Sequence, residues 1–213
     1  GGEAPVTILS SEEDPPYHRP PLTKGFLRGE VEREGTYVRP AEEYEDDIVE
    51  LRLNVVAERI DPEKHVVVLE GGEEVPYGTL VLATGARPRP LPLPGADLVG
   101  VHTYRFLPDA ASVRGAAEEA HSAIVVGGSF IGAESAASLR LRGLDVTLIE
   151  MGPRLMPQLG SPEVSEELAD FYREQGIQLL FETELAELTG NGKLLTGART
   201  KDGTTIEGYL AIV

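Results

Sequence analysis

The stretch Ala123 to Glu150 reads AIVVGGSFIGAESAASLRLRGLDVTLIE, and its parts follow the order of a βαβ dinucleotide-binding unit. Ile124, Val125 and Val126 form an apolar run typical of a buried parallel strand. Gly127, Gly128 and Gly132 make a glycine turn, and an Ala/Leu-rich helix follows. Gly143 ends that helix, and a second apolar strand closes on the carboxylate of Glu150. Unpaired N–H groups at the helix start can hold a pyrophosphate. An acid at the end of the second strand can accept hydrogen bonds from the adenosine ribose. The motif Gly-x-Gly-x-x-Gly has Ser129 at its second glycine, which reads as a tolerated small replacement. The rival is a glycine-rich turn with no nucleotide. A serine-hydrolase elbow, Gly-x-Ser-x-Gly, fits less well because Gly132 comes one residue too late.

Composition narrows the class. The chain has 213 residues, 41 % of them hydrophobic, enough for one large or two small domains with a core. The net charge of −17 argues against nucleic acid and anionic membrane surfaces as partners. The acids gather at Glu42, Glu43, Glu45, Asp46, Asp47 and Glu50, and again at Glu163, Glu166, Glu167, Asp170 and Glu174. Both groups read as solvated faces, with a docking patch for a basic partner as the alternative. There is no cysteine, so no disulfide, thiolate metal site or redox Cys pair exists within these residues. His18, His65, His102 and His121 are scattered without ligand spacing, and no metal is expected. No run has the length of a membrane-spanning helix and no signal peptide opens the chain, so the expected location is the cytoplasm.

The rest of the chain continues the α/β pattern. Val6–Leu9 (VTIL) followed by acids echoes Val146–Ile149 before Glu150, which suggests a second dinucleotide unit. Its glycine turn should lie upstream, yet the chain begins a few residues before Val6; the expectation is an internal piece of a longer protein. Pro15–Lys24 is a proline-rich loop entering a short turn or helix. Glu50–Ile60 carries a strand, and Lys64–Glu70 with Glu73–Tyr77 forms a hairpin around Gly71-Gly72. Thr79–Ala83 reads as an apolar strand, and Pro88–Pro94 as a linker. Pro108–Glu119 is predicted helical with Ala110, Val113 and Ala117 on one face. Ser161 caps a helix whose apolar stripe is Leu168, Phe171 and Tyr172 and whose stop is Gly176. Ile177–Phe181 is the next strand. Leu185–Leu188, Lys193–Thr200 and Thr204–Glu207 form a three-stranded meander, and Tyr209–Val213 is a buried strand.

Three segments, PPYHRPPLTK (15–24), LVLATGARPR (80–89) and IVVGGSFIGAE through TLIE (124–150), carry a family resemblance that covers nearly the whole chain. The sequence resembles the FAD-dependent pyridine nucleotide–disulfide oxidoreductases. It is most similar to the group without the disulfide: NADH-dependent ferredoxin and rubredoxin reductases and apoptosis-inducing-factor-like flavoproteins. The resemblance implies an α/β architecture of two Rossmann-like three-layer nucleotide-binding domains, each with an antiparallel β-meander. Residues 1–100 would be an incomplete FAD-binding domain, and residues 101–213 an NAD(H)-binding domain.

The same resemblance implies roles. Glu12, with Glu13 as the alternative, would hold the FAD ribose. Arg19, Pro20 and Lys24 would lie along FAD, Lys24 close to the flavin ring. Val56 would contact adenine through its backbone, and Thr84, Gly85 and Arg87 would approach the FAD diphosphate. Gly127, Gly128, Ser129, Phe130, Ile131 and Gly132 would hold NADH, with Glu134 near the nicotinamide and Glu150 on the ribose. Lys24 and Glu134 are thus the candidate catalytic residues. Elementary chemistry agrees: a cation favours electron uptake by flavin, arginine pairs with phosphate, and Glu150 repels a 2′-phosphate, favouring NADH over NADPH. The plainer alternatives are surface ion pairs for Arg19 and Arg87, a solvated helix start for Lys24, and a first-turn acid for Glu134.

The implied activity is hydride transfer from NADH to FAD and onward to a separate acceptor such as a ferredoxin or rubredoxin, with an oligomer compatible. Without its upstream glycine turn the chain should hold FAD poorly. The rival functions are an NADH-binding sensor or interaction protein of the apoptosis-inducing-factor type, and an inactive NAD-binding fragment.

Overall fold

The computed structural model describes residues 5–44 and 49–213; Glu45, Asp46 and Asp47 of the first acidic group lie outside the described residues. The described chain separates into two compact units. The first takes the residues through His18 and those from Glu34 to Ala86. The second takes Arg19–Arg33 and Arg87–Val213.

In the first unit, β1 (Val6–Leu9) pairs in parallel with β2 (Val49–Arg52), Val6 opposite Val49. The strands β3 (Ala57–Asp61), β4 (Val66–Leu69) and β5 (Glu74–Pro76) form an antiparallel meander, with Gly71 and Gly72 at positive φ in its second turn. Two expectations change here. The single strand over Glu50–Ile60 is two strands, broken where Asn54 adopts a left-handed backbone (φ 56°) that asparagine tolerates better than most residues. Its halves then serve different sheets. Thr79–Ala83 is not a strand: residues 80–90 are irregular, and Val81 is 81 % exposed. An apolar run becomes a strand only where a neighbouring backbone takes its N–H and C=O groups. Among the described residues the parallel sheet of this unit is β1 and β2 alone, and 79–83 finds no edge.

The second unit is built on a five-stranded parallel sheet. Its elements are β6 (Val101–His102), α1 (Leu107–Glu119), β7 (Ser122–Val126), α2 (Phe130–Leu141), β8 (Asp145–Ile149), α3 (Pro162–Glu174) and β9 (Gln178–Leu180). The antiparallel meander β10 (Leu185–Asn191), β11 (Leu194–Thr200) and β12 (Thr205–Glu207) comes next, and β13 (Leu210–Ile212) returns to the sheet. The strand order is β6-β13-β7-β8-β9. One sheet face, with Ile124, Ile149 and Ala211, packs on Leu185, Leu188, Leu195 and Ile206 of the meander. On alternate positions Val125 and Leu148 are fully buried, and α2 packs on β7 and β8. Burial on both faces is what parallel strands require.

The helix starts follow their sequence signals. Ser161 caps α3, its hydroxyl accepting from the Val164 N–H at 3.3 Å. Ala110, Val113 and Ala117 are buried along α1. The stripe of α3 is corrected: it buries Ser165, Ala169 and Tyr172, and Phe171 is 55 % exposed against the Tyr172 ring edge. Spacing defines a face but not the rotation of the helix on its support. Residues Arg19–Arg33 pack on α1 and α2 through a short helical segment, Leu22–Phe26, that leaves helical geometry at Lys24.

Candidate functional site

The site grows from the end of β7. Gly127 takes φ 103°, a conformation that favours glycine, and its N–H donates to Ile149 O at 2.8 Å, carrying the sheet pairing into the turn. Gly132 is required by space: a Cβ there would sit 1.9 Å from Gly127 O. Gly128 is less constrained: a Cβ would meet Glu150 Cγ at 3.2 Å, which would push the carboxylate side chain by a few tenths of an ångström. Ser129 occupies extended backbone (φ −77°, ψ −175°) open to any residue, which explains why the second motif glycine can be serine. Its backbone carbonyl accepts from Ala133 N–H at 2.9 Å, so α2 starts immediately after it. The first N–H groups of a helix have no intrahelical acceptor, and the first turn of α2 carries no acidic residue of its own. Phe130 and Ile131 are part-exposed at this helix start.

Glu150 closes the turn from the end of β8. Its Oε2 accepts from the Gly128 N–H at 2.6 Å and its Oε1 from the Gly152 N–H at 2.6 Å. Met156 N–H donates to Gly128 O at 2.7 Å. The carboxylate is thereby fixed at the lip of the glycine turn. A carboxylate has about four acceptor sites, so each oxygen keeps capacity for a ligand hydroxyl. The cradle fits a dinucleotide: backbone donors, no side chain at Gly128 or Gly132, and an oriented acid.

A second cluster lies where the Arg19–Arg33 segment meets α2. Lys24 Nζ stands 2.5 Å from Glu134 Oε2. Thr23 Oγ1 donates to the same oxygen at 2.5 Å. Glu134 is in the second turn of α2, so it is not the first-turn acid of the plainer reading, and Lys24 is in an ion pair rather than at a solvated helix start. The segment that carries Lys24 is gripped by its carbonyls. Tyr104 O–H donates to Leu22 O at 2.6 Å, Ser138 O–H to Thr23 O at 2.6 Å, and Arg142 Nη1 to Leu27 O at 2.9 Å. Burial pushes the Tyr104 phenol well up, so it remains a donor at any physiological pH. Burial, reinforced by the Glu134 carboxylate, also raises the Tyr172 phenol, whose O–H donates to Ala133 O.

The other candidates spread more widely. In the second unit, Arg19 Nη1 donates to Arg105 O at 2.7 Å and its guanidinium stands 5.4 Å over the Phe106 ring; Pro20 is exposed beside it. Arg87 lines a cavity of about 480 Å³ with Pro88, Leu91, Val101, Phe106 and Val213. In the first unit, Glu12 Oε2 accepts from Tyr17 O–H at 2.5 Å, while Glu13 is exposed. Val56 is exposed, and its carbonyl accepts from Glu70 N–H at 2.8 Å. Thr84 and Gly85 are exposed in the irregular segment, Gly85 at φ 69°. Thr23, Tyr104 and Ser138 were missed by sequence reading; only the adjacency of Thr23 to Lys24 pointed to any of them. Among the described residues no group of three or more His, Cys, Asp or Glu is arranged to hold a metal ion, and no helix is long and apolar enough to cross a membrane.

A parallel sheet with a meander layer, a glycine turn and a clasped terminal acid defines a Rossmann-like dinucleotide-binding protein. Comparison makes the class specific: the family model for pyridine nucleotide-disulphide oxidoreductase matches residues 2–213, and the chain belongs to that family. It is 34 % identical to rhodocoxin reductase of Rhodococcus erythropolis over all of this chain and 50 % of that protein. It is 32 % identical to rubredoxin-NAD(+) reductase of Pseudomonas putida over all of this chain and 55 % of the relative. A ferredoxin reductase from Rhodopseudomonas palustris superposes with a TM-score of 0.93 at 33 % identity, covering 98 % of this chain and 51 % of that one. The chain therefore spans about half the length of the curated relatives it matches.

Proposed function

We propose that this chain binds NADH at the Gly127–Gly132 turn. In the whole protein it would serve hydride transfer from NADH to FAD and electron delivery to a small carrier protein of the ferredoxin or rubredoxin kind. The observation that carries this reading is the clasp of Glu150 at the lip of the turn. The first N–H groups of α2 would hold the diphosphate, and the spare acceptor sites of Glu150 would take the ribose hydroxyls. The same carboxylate disfavours a 2′-phosphate, so NADH is preferred over NADPH.

Flavin, when bound, supplies the chemistry of accepting a hydride and releasing electrons singly. The chain's own residues supply position and field. Lys24 brings a positive charge that favours electron uptake, and Glu134 fixes where that charge sits. Arg19, Pro20 and Arg87 are the proposed FAD contacts in the second unit, Arg87 toward the diphosphate. Glu12, Val56, Thr84 and Gly85 are the proposed FAD contacts in the first. The names of the relatives, and a putidaredoxin reductase solved as a covalent complex with putidaredoxin (28 % identity, TM-score 0.91), support a protein acceptor.

The test is Glu150→Arg. NADH binding, measured by fluorescence titration, should weaken by about thirtyfold, roughly 2 kcal/mol. NADPH binding should change by less than about threefold, because a new cation meets the 2′-phosphate. Equal losses for both nucleotides in a variant that keeps its thermal melt would overturn the ribose role.

A further inference from the structure

The Glu134 carboxylate is held from one side only. Lys24 Nζ and Thr23 Oγ1 both stand 2.5 Å from Oε2, and among the described residues Oε1 accepts from neither. Lys24 is a long, flexible cation, 43 % exposed along its side chain; its ammonium also donates to Pro20 O, but at 3.4 Å, and an ion pair of this exposure defines the carboxylate's position weakly. Thr23 is different. It is 6 % exposed, β-branched and restricted at χ1, and its own carbonyl is fixed by Ser138. A short O–H···O bond from such a donor sets the carboxylate plane in a way that an ammonium cannot, because an ammonium acts as a point charge.

We propose that Thr23 is a positioning residue of the site. Its hydroxyl orients Glu134 through Oε2, which fixes the Lys24 ammonium and leaves Oε1 as the acceptor offered to an N–H donor of the bound dinucleotide, such as a carboxamide. This inference rests on the NADH and flavin reading above. The Ser138 hydroxyl and the Tyr104 phenol hold the backbone of Leu22 and Thr23, so the three hydroxyls form one chain of support from α2 and the post-β6 segment to the Lys24 ammonium.

Thr23→Val removes the hydroxyl and keeps the branched shape. In the whole flavoprotein it should slow flavin reduction by NADH about tenfold, with the Kd for NADH changed less than about twofold. Thr23→Ser should restore the rate to within about twofold of the parent, since it keeps the donor. A readout free of turnover is the ¹⁵N-edited spectrum of the lysine ammonium groups. The Lys24 signal, slowed in exchange by its pairing, should be lost in Thr23→Val and kept in Thr23→Ser. Thr23→Ala is the second variant should Thr23→Val fail to fold, and the same loss is expected of it. An undiminished rate, or an unchanged Lys24 signal, in the hydroxyl-free variants overturns the role of Thr23. Lys24→Ala separates the two levels. A full rate in Lys24→Ala sinks the reading of the site itself, whereas a slow Lys24→Ala beside a full-rate Thr23→Val sinks only the positioning role.

Discussion

Ala123–Val126 and Thr79–Ala83 look alike as sequence: each is a short apolar, β-branched run leading into a glycine turn. In the structure they part. The first is a central strand between β13 and β8, with Ala123, Ile124 and Val125 fully buried. Among the described residues the second pairs with no strand, and Val81 and Leu82 are 81 % and 65 % exposed. The contrast shows that an apolar run specifies a need for neighbours rather than a strand. Ile124 lies in register between Ala211 of β13 and Thr147 of β8, so the strand around it is paired along both edges by segments from elsewhere in the chain. The run at 79–83 has equal propensity and no such edge.

Three substitutions probe that contrast, the largest effect first. Gly132→Ala places a Cβ 1.9 Å from Gly127 O, which the close packing of β7 against α2 cannot relieve. It should destabilise the second unit by more than about 4 kcal/mol, seen as an early, separate unfolding transition. A variant with unchanged melting would mean the turn is looser than its geometry. Next, Ile124→Ala should cost about 2–5 kcal/mol in chemical denaturation, because it empties space between sheet and meander. Val81→Ala should stay within about 0.5 kcal/mol; a large loss there would show that the 79–83 run is buried after all. The smallest effect concerns His102. Burial holds its imidazole below the ordinary range, partly offset by Asp109, and Nε2 is buried without a partner while Nδ1 meets Ser112 Oγ at 3.2 Å. The neutral ring therefore favours folding fully above pH about 6.5. That contribution is lost as pH falls through the lower folded value. His102→Asn should flatten the slope of stability against pH just below 6.5, and an unchanged slope would assign it to other groups.

The site divides in the same way as the strands. Gly127, Gly128, Gly132 and Glu150 were legible because their demands are local: a positive φ, two close approaches, and an acid at a fixed place in a βαβ unit. Ser129 was legible as tolerable and is explained by its extended backbone. The Lys24–Glu134 pair was not. Each residue was singled out, but their meeting depends on the Arg19–Arg33 segment folding against α2, across a long stretch of chain. Thr23 had only its adjacency to Lys24 to mark it, and a hydroxyl beside a lysine does not say which carboxylate it will meet. The rotation of α3, which turns Phe171 outward, escaped for a related reason, since periodicity does not say which side of a stripe meets the sheet.

The sequence by itself therefore determined the dinucleotide unit, its meander and the family, since these rest on short-range steric and hydrogen-bonding rules. Tertiary structure alone decided which apolar run became a strand and which carboxylate received the lysine. Both outcomes depend on neighbours supplied from distant parts of the chain. A backbone edge or a counter-charge has no signature at the position that needs it.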